Sequence, residues 1–205
     1  MTERINIPAF ILSGGKSSRI GTNKSFLEIN GKPLIQCLTY LLDSIFSEVV
    51  ISSNEPELFE FLGKKIIKDI FPSRGPVSGI HSALSFTTSE KNFIISCDMP
   101  FLSEELIKHL LEYKTNSKIL LSKADGRIQP LCGLYSKSVL QEVENLLIES
   151  GNPQSNLKGS VYELLSRVKT EFVDVDKLNL YHKNLFLNIN TPKDYNLAKK
   201  IIEQK

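Results

Sequence analysis

Three stretches of the chain combine residue types suited to a phosphorylated ligand. In Leu12-Ser13-Gly14-Gly15-Lys16-Ser17-Ser18-Arg19, glycines without a Cβ let successive backbone N–H groups close on an anion. Arg19 and Lys24 add two cations close by, which suits a polyphosphate; the plainer alternative is a basic surface loop. Two familiar phosphate loops fail on spacing. A P-loop ending in Gly15-Lys16-Ser17 needs glycine where Phe10 stands, and a dinucleotide fingerprint from Gly14 needs glycine at Lys16 and Arg19. The second stretch, Phe93-Ile94-Ile95-Ser96-Cys97-Asp98, is an apolar run ending in a carboxylate, at the strand end where open α/β sheets bind ligands. There Asp98 either ligates Mg²⁺ beside substrate phosphates or bonds its own turn ahead of Pro100. Third, Asn54 and Asp69 each follow a short apolar run and point to the same rim. Gly75-Pro76-Val77-Ser78-Gly79 either lies against a base or ribose or simply makes a tight turn.

Other chemistry is poorly supported. His81, His109 and His182 lack metal-ligand spacing, Cys97 has no evident base, and Ser17 and Ser18 sit outside any nucleophile-elbow pattern. The three cysteines Cys37, Cys97 and Cys132 fit neither a disulfide framework nor a zinc pair, and a reduced cytoplasm is the expected compartment. The 205 residues carry a formal net charge of +2, with 41% hydrophobic and 23% charged residues. That balance is globular and offers no bulk field for nucleic acid or an anionic membrane, so neither is an expected partner. No window reaches the roughly 20 apolar residues of a membrane span.

The elements that must position these residues alternate short apolar runs with helix-period segments, which predicts stacked βα units and a mostly parallel sheet. Strands are expected at Ile7–Leu12, Glu48–Ser52, Lys65–Lys68, Phe93–Cys97 and Leu185–Ile189. Asn30-Gly31 marks a turn, and Pro33 opens a helix with Leu34, Ile35, Leu38, Leu41, Leu42, Ile45 and Phe46 on one face. Further helices follow Ile80 and Ser103. Ile119–Leu121 and Ile128–Leu134 flank the turn Lys123–Arg127, which predicts antiparallel strands added to the sheet. A helix from Lys137 to about Glu149 precedes a polar stretch, Gly151–Gly159, and Thr191-Pro192-Lys193-Asp194 reads as a capped helix start. No linker divides the chain, so a single domain over 1–205 is expected.

The stretch from Leu12 to Lys24 resembles the LxGGxSxRMGxDK signature of the MobA-like nucleotidyltransferases. Gly75–Ile80, Ser96–Phe101, Gln129–Tyr135 and Asn188–Pro192 are similar to later blocks of that family, in the same order over residues 7–200. Within it they most resemble the molybdenum cofactor guanylyltransferases. The resemblance implies a three-layer, Rossmann-like α/β nucleotidyltransferase fold with a mostly parallel central sheet and a few antiparallel strands. It implies a cytoplasmic enzyme joining GMP from GTP to molybdopterin, with Mg²⁺ as cofactor and pyrophosphate released. Implied product recipients are molybdenum cofactor delivery proteins or apo-molybdoenzymes.

The family's nucleotide-contacting positions fall on Leu12, Ser13, Gly14, Lys24, Asn54, Asp69 and Asp98, with Asp98 also the metal ligand. Gly15 joins the nucleotide contacts, and Arg19 and Lys24 act with Asp98 in catalysis. Nucleotide is expected in about 1–100 and acceptor in about 101–205. Other readings are a related nucleotidyltransferase, such as a cytidylyltransferase, and a non-catalytic nucleotide-binding module. Two positions depart from the signature: Ile20 stands for Met, and Asn23 stands for Asp before Lys24.

Overall fold

The computed structural model describes residues 4–14 and 23–204. Strand β1 (Ile5–Leu12) is buried from Ile7's neighbour Pro8 onward, the near-continuous apolar run of a strand covered on both faces. After it, a short ribbon of β2 (Glu28–Ile29) and β3 (Lys32–Pro33) turns at Asn30 and Gly31, whose φ values are 52° and 71°. Two successive positive φ angles make the hairpin turn that the Asn-Gly pair predicts. Helix α1 (Leu34–Ile45) follows, then β4 (Phe46–Ser52), β5 (Lys65–Ile67), α2 (Pro76–Phe86) and β6 (Lys91–Ser96). The second half holds α3 (Glu104–Glu112), β7 (Ile119–Ala124), β8 (Arg127–Ser136), α4 (Leu140–Gly151), α5 (Val161–Arg167), β9 (Thr170–Asp174) and α6 (Pro192–Glu203).

The seven-stranded sheet has the order β5-β4-β1-β6-β8-β7-β9. Its pairings are parallel except those made by β8, which opposes both β6 and β7. The few antiparallel strands expected are therefore β8 in the main sheet and the β2–β3 ribbon. Helices cover both faces. Ala9 and Ile11 of β1 pack with Ile35, Leu38 and Leu42 of α1 and Leu106 and Leu110 of α3. Phe10 and Leu12 pack on the other face with Val77 and Ile80 of α2, Val143 and Leu146 of α4, and Leu164 of α5. The alternation along one strand thus feeds two cores. Helix α6 closes a third, smaller cluster around Ile29, Leu34, Ile189 and Ala198. No described helix is long and apolar enough to cross a membrane.

Three elements differ from the sequence reading. Leu185–Ile189 is not a strand: turns carry it, with Leu185 N–H donating to His182 O and Leu187 N–H to Asn184 O. Leu185 and Ile189 are buried and Phe186 and Leu187 half-buried, but the turn bonds are local, and the distant bond, Ile189 N–H to Asp98 O at 2.9 Å, reaches a loop instead of a strand. The polar stretch before Gly159 leads directly into α5, started by a capping box between Ser160 and Glu163. Strand β9 adds to the sheet edge in parallel with β7.

Gly133 of β8 sits where a side chain cannot. An added Cβ would lie 2.2 Å from Leu120 O and 2.8 Å from a Leu121 methyl, next to the bulge where β7 slips register. The Gly133→Ala variant is expected to lose about 3 kcal/mol or more, since an interior backbone must shift. Calorimetry should show Tm lower by about 6–12 °C; an unchanged Tm would contradict this close approach.

Candidate functional site

Register assembles the site. Leu12 pairs with Ser52 on one side and Ser96 on the other, and Ser52 pairs with Ile67, so four parallel strands end in one row. The ladder runs one step past each end: Ser13 N–H donates to Ser52 O, Ser53 N–H to Ile67 O, and Cys97 N–H to Leu12 O. The loops bearing Gly14, Asn54, Asp69 and Asp98 therefore leave one rim from pinned starts. Strand order reverses at β1, between neighbours β4 and β6, which is the crevice where doubly wound sheets take ligands. Leu12, Ser13, Gly14 and Asp98 flank that crevice.

Lys24 begins a three-residue turn over Lys24–Phe26 that Asn23 caps, its side-chain oxygen accepting from Ser25 N–H at 3.1 Å. From there Lys24 Nζ donates to Asn190 Oδ1 at 2.6 Å, across 166 residues of sequence. Asp98 is half-buried, and its buried Oδ1 has no hydrogen-bond partner among the described residues. Burial pushes its carboxyl up, against a Ser96 hydrogen bond and the Lys24 charge, which both pull it down. Buried carboxylate oxygens are normally bonded, so an unpartnered one just past the end of β6 suits a cation. Among the described residues no three His, Cys, Asp or Glu gather as a metal cage. A cation here would take Asp98 plus oxygens from a bound ligand, an arrangement that Mg²⁺ commonly accepts.

Farther along the row, Asn54 Nδ2 donates to Asp69 Oδ2 at 2.8 Å, and Asp69 N–H donates back to Asn54 Oδ1 at 3.0 Å. Burial raises the Asp69 carboxyl and the Asn54 bond lowers it, with a net upward shift. The structure thus groups Leu12, Ser13, Gly14, Lys24 and Asp98 and sets Asn54 and Asp69 as a locked pair along the same rim. Gly15 and Arg19 lie outside the described residues. The Gly75–Gly79 stretch is mostly helix start: Gly75 takes φ 69°, ψ −161°, Pro76 begins α2, and Gly79 admits the Leu12 side chain. An added Cβ at Gly79 would meet that side chain at 3.1 Å.

Two groups dismissed as chemistry are core. His81 is buried in α2 and meets Phe71 edge-on at 4.9 Å, and burial lowers its pKa. The Cys97 thiol is buried and pushed up, first by burial and then by the charge of Asp98, which unsuits it for nucleophilic attack.

A groove of about 800 Å³ continues from the cluster. It is lined by the β7–β8 turn, with Arg127 and Gln129, and by Tyr181, Lys183, Phe186, Asn188 and Asn190. Tyr181 Oη donates to Asp125 Oδ2 at 2.6 Å, tying the turn to the segment opposite. Asn190 belongs to both places, since it also holds Lys24. A second cleft, about 600 Å³, sits by Lys91 and Lys169 at the opposite strand ends, about 20 Å from Asp98 along β6. The sequence carried no signal for Arg127, Tyr181 or Lys183, whose meeting depends on where distant turns fold.

Comparison with known proteins agrees with this geometry. The model of the MobA-like NTP transferase domain matches residues 9–165. A probable molybdenum cofactor guanylyltransferase of Clostridium perfringens (strain SM101) is 38% identical over 188 residues, 91% of this chain and 93% of its own. One from Carboxydothermus hydrogenoformans is 35% identical over 202 residues, 98% of each chain. Among solved structures, molybdopterin-guanine dinucleotide biosynthesis protein A from Archaeoglobus fulgidus superposes with TM-score 0.81 at 26% identity. That match covers 97% of this chain and 100% of the other.

Proposed function

The chain belongs to the MobA-like NTP transferases, and from that membership we propose that it transfers GMP from GTP to molybdopterin and releases pyrophosphate. Relatives named for guanylyl transfer to the molybdenum cofactor match more than nine-tenths of its length. The observation that carries the reading into this structure is the unpartnered Asp98 oxygen past the end of β6, under the charge of Lys24, which Asn190 of the groove holds. Nucleotide occupies the rim built by about residues 1–100, and the acceptor lies in the groove built by about 101–205.

The acceptor's terminal phosphate oxygen attacks the α-phosphorus of GTP, and the bond to the bridging oxygen breaks as pyrophosphate leaves. A phosphate nucleophile is already anionic, so no general base is required and catalysis rests on placement and charge neutralisation. Backbone N–H groups of Gly14 and Gly15, with Arg19, hold the β- and γ-phosphates; the Ser13 N–H, expected to join them, is instead taken by Ser52 O in the sheet ladder. Lys24 steadies the charge that grows near the α-phosphate. Leu12 packs beneath the nucleotide, and the Asn54–Asp69 pair offers polar groups to its ribose or base. Asp98 would hold Mg²⁺, and the chemistry that ion would supply when bound is Lewis-acid polarisation of phosphate oxygens. The buried thiols Cys97 and Cys132 suit a reducing cytoplasm. Delivery proteins or apo-molybdoenzymes would take the product.

The test is pyrophosphate release from GTP, CTP and ATP, each with and without molybdopterin. Release that needs both GTP and molybdopterin is expected. A preference for CTP would replace the guanylyl assignment, and GTP binding without turnover would leave a binding module. Asn23 gives a finer expectation. Its role is a neutral cap on the Lys24 turn, so Asn23→Asp keeps the acceptor and should change GTP affinity by no more than about tenfold, roughly 1.4 kcal/mol. A titration at two salt concentrations checks it: a larger effect that survives high salt would place residue 23 against the triphosphate itself.

A further inference from the structure

Ser25 shares the turn of Lys24 but faces the other way. Its side chain is buried at 1% exposure, and its hydroxyl lies 2.6 Å from Ser13 Oγ and 3.3 Å from Cys97 Sγ. Ser13 and Cys97 are buried as well. Each of the three stands directly beside a residue of the proposed site: Ser13 beside Gly14, Ser25 beside Lys24, and Cys97 beside Asp98. One buried hydroxyl therefore joins the three segments that carry the phosphate loop, the cation and the carboxylate. Nothing about local structure demands this. The turn is already capped by Asn23, and the ends of β1 and β6 are already joined through Cys97 N–H and Leu12 O. What the Ser25 hydroxyl adds is a fixed spacing between the turn and those two strand ends.

We propose that Ser25 is a positioning residue for the transfer, acting through Ser13 and Cys97 to hold Lys24 and Asp98 at the separation the reaction needs. This rests on the function proposed above. The chemical step should feel it more than ground-state binding does, because small misplacements of reacting groups cost rate steeply. A hydroxyl buried among polar partners also has no alternative partner in water, so removing it leaves Ser13 and Cys97 to relax.

The test compares Ser25→Ala, Cys97→Ala and Cys97→Ser with the full-length wild type, measuring kcat, GTP dissociation constant and melting. Ser25→Ala is expected to lower kcat by about 30- to 100-fold while GTP affinity stays within about threefold. Cys97→Ser keeps a hydrogen-bonding group and should stay within about threefold of wild type, whereas Cys97→Ala should fall further. That pair carries the test should Ser25→Ala fold poorly. Retention of kcat within threefold in Ser25→Ala, or equal loss in both Cys97 variants, would overturn the proposal. Hydrogen exchange separates its failure from that of the parent reading. If the wild type itself fails to turn over GTP, the proposed reaction is what has failed. The positioning role then stands or falls on the Phe26 and Leu27 amides, expected to exchange at least about tenfold faster in Ser25→Ala and unchanged if the role is absent.

Discussion

Asp98→Asn is expected to lower turnover by about 10³- to 10⁴-fold, roughly 4–5.5 kcal/mol of transition-state stabilisation, in a protein that melts no earlier than wild type. The two halves of this result have one cause. Asp98 Oδ1 is buried without a hydrogen-bond partner among the described residues, and burial holds the carboxyl above its ordinary range. Charge at this place is costly to the fold in the absence of ligand and is retained for the reaction. Asparagine keeps the shape and removes both the charge and its attraction for a cation. The sign of the pH effect follows. A carboxyl raised in the folded state contributes stability that is fully present below its unfolded pKa and lost as pH climbs through the folded one. Asp98 therefore weakens the ligand-free protein as pH rises out of the carboxylate range, as Asp69 does, while lowered carboxyls such as Glu163 and Asp194 act in the opposite sense. The signature is the difference: Asp98→Asn should gain stability relative to wild type as pH rises. Activity assays joined to melting curves between about pH 4 and 7 check both parts. A variant that melts normally and turns over at near wild-type rate would remove Asp98 from the chemistry.

Lys24→Ala is expected to cut kcat by about 10²- to 10³-fold, the scale of losing one preorganised donor to developing charge, with GTP affinity falling no more steeply. The ammonium stands where it acts on Asp98 and is held by Asn190 at 2.6 Å, so its position is set before any nucleotide arrives. A cation fixed in advance needs no reorganisation as charge builds, which is why the loss should appear in kcat. Steady-state kinetics with a GTP titration decide it. A rise in KM with kcat intact would make Lys24 a ground-state contact only.

What the sequence disclosed followed the range of the forces involved. The Asn30-Gly31 turn, the Thr191–Asp194 capping box and the stripe of α1 are set by residues within a few positions of one another, and all were legible. Asp98 was legible because an apolar strand ending in a carboxylate is itself a local pattern. Strand β9 was not: five residues long at the sheet edge, with Phe172 partly exposed and Val173 buried, it is defined by β7 some 50 residues earlier. Leu185–Ile189 misled because an apolar run says buried, not extended; Asn184 and His182 supply turn bonds that satisfy its backbone without a neighbouring strand. The same limit applied at the site. Lys24 could be named as a cation, but its partner Asn190 lies 166 residues on, and Ser25 was an ordinary serine until Ser13 and Cys97 closed around it.

The most direct measurement follows the label in single-turnover reactions of the wild-type protein with molybdopterin, Mg²⁺ and GTP labelled at either the α- or the γ-phosphate. In-line attack at the α-phosphorus predicts that the α label appears in the molybdopterin product and the γ label in pyrophosphate, at matching rates. A γ label recovered as inorganic phosphate, or an α label that stays in free guanine nucleotide, would mean the bond broken is not the one this site is built to break.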